Sequence, residues 1–260
     1  MHVEFPITNE FVQEEAKTIQ DGKRMLVLAN RILAQQGIFD AFGHISVRNP
    51  EDPNTFLITR SLSPELVTMD DILTLDFNGD IVSEDKTQKT FLERFIHCSI
   101  YKARPDVNCV AHPHPPEIIT FMATGAQYGS IYHLDVTFHE GIPLFTDIPV
   151  ESGALINSMA VADDLTKALG EKRGVMIRNH GIVIVGESIP RVIYSTITLR
   201  DNIKMLLPAI ASGAKPVYID RESAEYGTYT HFCGSPFKRC WDYWNSLAKK
   251  TYEDIAHLEH

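Results

Sequence analysis

Apolar residues recur at three- and four-residue spacing early in the chain, with Leu26, Ala29, Ile32 and Leu33 on one stripe. That period predicts a core-packing helix from Thr8, which can cap it, to Gly37, which can stop it. The pattern then shortens to two β-type runs, GHISVR (43–48) and TFLITR (55–60), separated by Asn49-Pro50-Glu51-Asp52-Pro53-Asn54, a loop dense in turn formers. ILTLDFNGDIV (72–82) predicts a hairpin about Asn78-Gly79, and residues 90–103, which hold all but the last residue of FLERFIHCSIYKAR (91–104), have helical spacing. VNCVAHPH (107–114) predicts a strand entering a helix whose first turn tolerates Pro115 and Pro116. A helix near 152–169, two strands (GVMIRN and GIVIVG) around His180, and a long helix from Ile189 to about Ala211 complete the pattern. With no internal repeat or long linker, residues 1–260 are expected to form one domain with a less regular C-terminal tail over 213–260. Leu258-Glu259-His260 look like the start of an expression tag, so His257 and His260 receive no functional weight.

Composition narrows the classes. A chain of 260 residues with 44% hydrophobic and 22% charged positions can fill a full core, which excludes disorder as the main state. No apolar run approaches the roughly 20 residues that a membrane span needs. Lys+Arg 24 against Asp+Glu 34 leaves a formal charge of -10, which repels phosphate backbones, so no nucleic-acid partner is expected. Cys98, Cys109, Cys233 and Cys240 form no CxxC, and the opening MHVEFPITNE lacks the basic start and apolar core of a secretory signal; a reduced, cytoplasmic protein is expected.

Three places carry candidate chemistry. His112 and His114 stand two apart in a strand, so both imidazoles project to one side, and Pro113 and Pro115 put them at the strand terminus, where sites collect in α/β sheets. Taken alone they are equally two surface or hydrogen-bonded histidines. His180, in Asn179-His180-Gly181 between two β-rich runs, sits at a hairpin tip, where a plain turn histidine would also sit. Glu93 falls among Phe91, Leu92, Phe95 and Ile96, and its ordinary role there would be a surface pair with His97, worth about half a kcal/mol or less. Together, three imidazoles and a carboxylate are a donor set suited to zinc, manganese or iron(II).

TFLERFIH, then AHPHP, then RNHG, all downstream of GHISVR and TMDDILTLDFNGDIV, resembles the class II aldolase/adducin family from about residue 20 to 212. The resemblance implies an α/β fold, a three-layer α/β/α sandwich around a mostly antiparallel central sheet, and a homotetramer with sites near subunit interfaces. It makes His112, His114 and His180 ligands of one divalent transition metal per chain, and Glu93 either a fourth ligand or the general acid/base.

The chain departs from the family's sugar-phosphate members, which read G-N-I/V-S at the first strand and S-S-E ahead of the Glu. Here the corresponding residues are Gly43-His44-Ile45-Ser46 and Phe91-Leu92-Glu93, with Thr59-Arg60-Ser61-Leu62-Ser63 after the second strand. Exchanging hydroxyl donors for Phe91 and Leu92 disfavours a phosphate dianion and suits a flat hydrophobic substrate. Arg60 is either a surface charge or a planar fork for a carboxylate. Ser61-Leu62-Ser63-Pro64-Glu65-Leu66-Val67 resembles the stretch found in family members that decarboxylate hydroxylated aromatic or pyridine carboxylic acids. His44 either lines the pocket and serves in proton transfer or is a buried histidine bonded to backbone. Tyr226, Tyr229, His231, Trp241, Tyr243 and Trp244 supply enough aromatic surface to close a pocket, or pack in the ordinary way.

The implied activity is that of a lyase: a metal-dependent decarboxylase of a dihydroxyphthalate-like aromatic acid, with Glu93 and His44 catalytic and Arg60, Ser61, Ser63 and Phe91 on the substrate. Alternatives on the same scaffold are a class II aldolase or epimerase on a sugar or sugar phosphate, an iron(II) oxygenase on a hydroxylated aromatic acid, and a non-catalytic adducin-like interaction domain.

Overall fold

The segments with strand patterning form β1 (His44–Arg48), β2 (Thr55–Thr59), β3 (Ile72–Asp76), β4 (Cys109–His112), β6 (Gly174–Ile177) and β7 (Gly181–Gly186), joined by a two-residue β5 (Leu144–Phe145) too short to leave a periodic trace. The computed structural model describes residues 16–83, 87–232 and 235–258. The strands make one sheet in the order β3-β2-β1-β4-β7-β6-β5, antiparallel throughout except for the edge pair of β5 with β6.

Strand alternation divides the core in two. Ile45, Val47, Cys109, Ala111, Ile182 and Ile184 face α1 (Ile19–Gln35), α3 (Pro116–Thr124) and α5 (Ile189–Ala211). Val110, Val183 and Val185 face the other way, onto α2 (Arg94–Ala103) and α4 (Met159–Leu169). The architecture is therefore a three-layer α/β/α sandwich around a mostly antiparallel sheet. Among the described residues no helix is long and apolar enough to cross a membrane. Cys98, Cys109 and Cys240 are free thiols.

Several boundaries differ from the expected ones. α1 starts at Ile19 because Thr18, not Thr8, caps it: the Thr18 hydroxyl accepts from Asp21 N–H while the Asp21 carboxylate accepts from Thr18 N–H. Thr8 lies outside the described residues. α2 starts at Arg94, so Glu93 occupies the cap position rather than the helix body.

The tail expected to be less regular carries two helices, α6 (Arg221–Phe232) and α7 (Ser235–Thr251). α7 buries Phe237, Trp241, Trp244 and Ala248, a helical stripe, in the α1/α5 core, and the Phe237 and Trp244 rings pack on Tyr194. Trp241 and Trp244 are thus core residues, while Tyr226 and Tyr243 are exposed. The side chains of Tyr229 and His231 lie outside the described residues, as do Glu259 and His260; Leu258 packs against the core.

Candidate metal centre

The antiparallel register brings the candidate residues to one end of the sheet. His44 pairs with His112 across β1 and β4. Extending the Ser46↔Ile58 register of β1 and β2 by two residues sets Arg60 level with His44. β7 lies against β4, and the Pro113 carbonyl just beyond β4 accepts the Ile182 N–H at 3.1 Å, which draws the His114 segment onto the start of β7. His180 ends the three-residue turn between β6 and β7, whose central Asn179 takes a left-handed φ of 57°, a conformation that Asn tolerates better than most residues.

Two of the three candidate ligands, His112 and His180, are aimed by a bond on the opposite side of the ring. His112 Nδ1–H donates to the Ile182 carbonyl at 2.9 Å, and His180 Nδ1–H donates to the Ala154 carbonyl at 2.8 Å. Ala154 itself has a φ of 70°, a strained setting for a residue with a Cβ, so the loop is bent to present that carbonyl. Both rings therefore turn an unprotonated Nε2 inward. The two Nε2 atoms lie 3.3 Å apart, and His114 Nε2 lies 3.1 Å from that of His112.

Two inward lone pairs at that separation repel unless something positive sits between them. Nitrogens 3.1 and 3.3 Å apart subtend about 95–105° at a point ~2.1 Å from each, the usual zinc–imidazole length. Glu93 completes the set. Its Oε1 is anchored by the Ile156 N–H at 2.9 Å, and its Oε2 lies 3.4 Å from His180 Nε2 and 3.6 Å from His112 Nε2. The four donor atoms all fall within 4.8 Å of one another, and this set could hold a divalent metal ion.

The electrostatics agree with a cation-seeking site. Burial acts to raise the Glu93 carboxyl, but its contacts with His112 and His180 outweigh that and hold it well below the ordinary carboxylate range. Burial pushes His114 down to about 3, with the neighbouring imidazoles adding to the effect. His180 is raised: burial opposes this, and the Glu93 carboxylate overcomes it. A carboxylate kept ionised, beside a His114 imidazole held unprotonated, suits a metal, and the pull of Glu93 on a proton at His180 is one that a cation in the cluster would replace.

His44 and Phe91 stand beside the cluster. Their rings stack at 4.5 Å, and the His44 ring lies 5.2 Å from that of His112. His44 is buried, and its partner is a side chain rather than backbone: His44 Nδ1 lies 2.7 Å from His97 Nε2. Burial, reinforced by the nearby imidazoles His97 and His112, lowers the His44 pKa well below the ordinary value, and burial pushes His97 down to about 3. The expected Glu93–His97 surface pair does not form, because Glu93 sits off the helix and His97 points into the core.

Arg60 joins neither the cluster nor open solvent: its Nε donates to Asp71 Oδ1 at 2.5 Å, with the side chain about a third exposed. The Ser61 N–H donates to the Lys89 carbonyl, and the Ser63 hydroxyl does not cap the short 3-10 turn Pro64–Leu66 that follows it. Among the described residues no hydrogen bond or ion pair links Arg60, Ser61 or Ser63 to the imidazoles. The sequence gives His97 only a surface pairing with Glu93, and it carries no mark of Ala154 and Ile156, which act through backbone atoms. For His97 a signal existed: His97 and Tyr101 share a helix face that spacing sets against the His44/Ser46 face of β1.

An α/β/α sandwich with three imidazoles and a carboxylate converging at one end of its sheet defines a scaffold whose centre could hold a divalent metal. The chain belongs to the family described as Class II Aldolase and Adducin N-terminal domain, which matches residues 24–207. It is 29% identical over 196 residues to decarboxylase tropJ of Talaromyces stipitatus, covering 70% of this chain and 74% of that protein. It is 24% identical over 205 residues to the 3,4-dihydroxyphthalate decarboxylase of Arthrobacter keyseri, covering 74% and 79%. Among solved structures, the L-fuculose 1-phosphate aldolase of Glaciozyma antarctica superposes with a TM-score of 0.76 at 22% identity, covering 93% of this chain and 95% of that one, a likeness of fold. Family and relatives together mark the chain as an enzyme of lyase type.

Proposed function

We propose that the chain is a divalent-metal-dependent decarboxylase of a hydroxylated aromatic or heteroaromatic carboxylic acid, of the dihydroxyphthalate kind. The observation that carries this reading is the Phe91–His44 stack beside the ligand cluster, an aromatic wall where sugar-phosphate members place hydroxyl donors. Two decarboxylases among its relatives support it. His112, His114 and His180 hold the ion, a zinc, manganese or iron, and Glu93 stands as fourth ligand or as acid/base. When bound, the ion supplies Lewis-acid stabilisation of the negative charge that builds on a phenolic oxygen as carbon dioxide leaves.

The chain's own residues do the rest. Phe91 presents a flat face to the ring. The Ile156 N–H fixes one Glu93 oxygen, so the other cannot swing away from the reacting centre. As the carbon–carboxylate bond breaks, its electron pair stays on the ring carbon, which takes up one proton from Glu93, ionised at rest and loaded by the phenolic O–H that it deprotonates, or from His44. Arg60, with Ser61 and Ser63, receives the substrate carboxylate at the rim. Exposed Phe42, Leu92 and Val150 lie within four residues of His44, Glu93 and Ala154, which supports burial of this rim between subunits of a homotetramer.

The test is a turnover screen of hydroxylated aromatic dicarboxylates with carbon dioxide detection, with elemental analysis of wild type and of the His112→Ala/His114→Ala/His180→Ala variant. One divalent metal per chain, lost in the variant, and release of carbon dioxide only from the loaded protein are expected. Retention of metal by the variant overturns the ligand set. Micromolar binding of a sugar phosphate without turnover of any aromatic acid overturns the substrate class in favour of an aldolase.

A further inference from the structure

Strand β1 sends His44 and Ser46 to one face, and α2 covers that face with His97 and Tyr101, four residues apart on one helix side. The outcome is a file of four polar groups in the core. His44 Nδ1 lies 2.7 Å from His97 Nε2, His97 Nδ1 lies 2.6 Å from Ser46 Oγ, and Ser46 Oγ lies 2.8 Å from the Tyr101 hydroxyl. All four residues are buried. Phe56 stacks on the His97 ring, and the Arg48 guanidinium lies over the Tyr101 ring at 4.9 Å while donating to the Tyr101 carbonyl, so neither ring is free to turn.

A hydrogen-bonded file has a direction, because each link carries one proton. Tyr101 is the closed end: among the described residues the one acceptor for its hydroxyl proton is Ser46 Oγ. Leaving a buried O–H without an acceptor is unfavourable, so the phenol donates to Ser46. Ser46 then donates to His97 Nδ1, which makes Nδ1 the unprotonated nitrogen of that ring. His97 carries its proton on Nε2 and donates it to His44 Nδ1. His44 in turn holds its single proton on Nε2, the nitrogen that faces away from the file. An imidazolium at His44 would need His97 to accept at both nitrogens, which a neutral ring carrying one proton cannot do.

We propose that Tyr101, Ser46 and His97 are positioning residues that lock His44 as a neutral Nε2–H donor to a substrate oxygen, and that His44 is therefore not the acid that protonates the ring carbon. This rests on the decarboxylase reading for the identity of the substrate, and on the hydrogen-bond file alone for the tautomer. A neutral imidazole with one proton donates a hydrogen bond readily but would become imidazolate if it released that proton, so its use is to polarise and orient, as an amide side chain would.

Histidine-selective 15N NMR of the zinc-loaded protein reads the tautomer directly. His44 is expected to show an unprotonated Nδ1 and a protonated Nε2 between about pH 6 and 8, the range in which a free imidazole titrates. Ser46→Ala removes the O–H that donates to His97 Nδ1, and is expected to let the Nδ1–H form of His44 appear. A wild-type His44 that is Nδ1–H or doubly protonated overturns the proposal, as does a tautomer unchanged in Ser46→Ala. In kinetics on an aromatic acid that the chain turns over, His44→Phe should lower kcat/KM by roughly 10- to 150-fold, the effect of losing a hydrogen bond to a charged oxygen, while His44→Gln keeps most activity. His97→Gln, whose amide still donates to His44 Nδ1, should retain activity that His97→Leu loses. If His44→Gln is as impaired as His44→Phe, the donor role falls. If no aromatic acid is turned over, the decarboxylase reading fails while the NMR result still decides the tautomer.

Discussion

Replacing Gly181 by alanine tests the placement of the metal ligands quantitatively. Gly181 opens β7 directly after His180 and has no left-handed φ, so the obstacle to a methyl group is space rather than backbone conformation. A Cβ there would lie 2.5 Å from the Pro113 carbonyl oxygen and 2.7 Å from His114 Cδ2. Ordinary contact begins near ~3.5 Å, so the exit of β4 and the start of β7 must part by about 1 Å. The Pro113 carbonyl is backbone and cannot rotate aside, and the Ile182 N–H bond it accepts would be stretched from 3.1 Å past useful length. Metal–ligand distances tolerate only about 0.2 Å, so the displacement costs the centre a ligand. The expected outcome is a stability loss of about 1–3 kcal/mol from overpacking and an affinity for zinc reduced by at least about 10- to 100-fold, as when a group orienting a ligand is removed. Zinc competition against a chromophoric chelator, with urea unfolding in parallel, measures both. Gly125→Ala separates them: Gly125 ends α3 with a φ of 67°, and a methyl group there would meet no atom within 4 Å, so alanine should cost about 1 kcal/mol and leave zinc affinity untouched. If folded Gly181→Ala binds zinc like wild type, His114 and His180 do not converge as described.

Asp135 should make stability fall with rising pH. It is fully buried, accepts the Tyr128 hydroxyl on one oxygen and among the described residues has no partner on the other, and burial raises its carboxyl to about 7 from 3.8. The folded state holds the proton more tightly, so the stabilisation is fully present below about pH 4 and is lost as pH rises to about 7, with a span on the order of 4 kcal/mol. Asp135→Asn should therefore be more stable than wild type at pH 8, the difference shrinking as pH falls toward 4; a difference independent of pH in urea unfolding would show that Asp135 does not titrate. For Arg60, Asp71 holds Nε and fixes the guanidinium plane, so Arg60→Lys should weaken binding of an aromatic acid about 10- to 150-fold with metal content unchanged. Binding equal to wild type would leave Arg60 as a partner of Asp71 alone.

Periodicity located β1, β2, β3 and the full length of α5 because each is bounded by turn formers or a cap within a residue or two of its end. It misplaced the start of α1, where Thr8 and Thr18 look alike as caps and only Asp21, three residues after Thr18, distinguishes them. It missed the helices of the tail because the Phe237, Trp241 and Trp244 stripe reads as loose aromatic content unless α1 and α5 are already there to receive it. The four donors of the centre were legible from residue type and resemblance. What holds them was not, since the carbonyls of Ile182 and Ala154 and the N–H of Ile156 are present whatever side chains those positions carry.

The sheet order has a consequence in time. His112 and His180 are 68 positions apart, yet the strands that carry them are neighbours at the centre of the sheet. During synthesis β1 to β4 emerge first and can pair as β3-β2-β1-β4, with the outer edge of β4 open and only two imidazoles in place. At typical elongation rates of about 5–20 residues per second, roughly 3–14 s pass before the third histidine exists. The nascent chain in that interval offers two imidazoles and a Glu93 carboxylate whose Ile156 anchor is not yet made, and tight capture waits until β7 closes the edge. With the proposed ligand set, acquisition of the metal would report that the central sheet is complete, and ion supply would act on a nearly finished molecule rather than on its early folding.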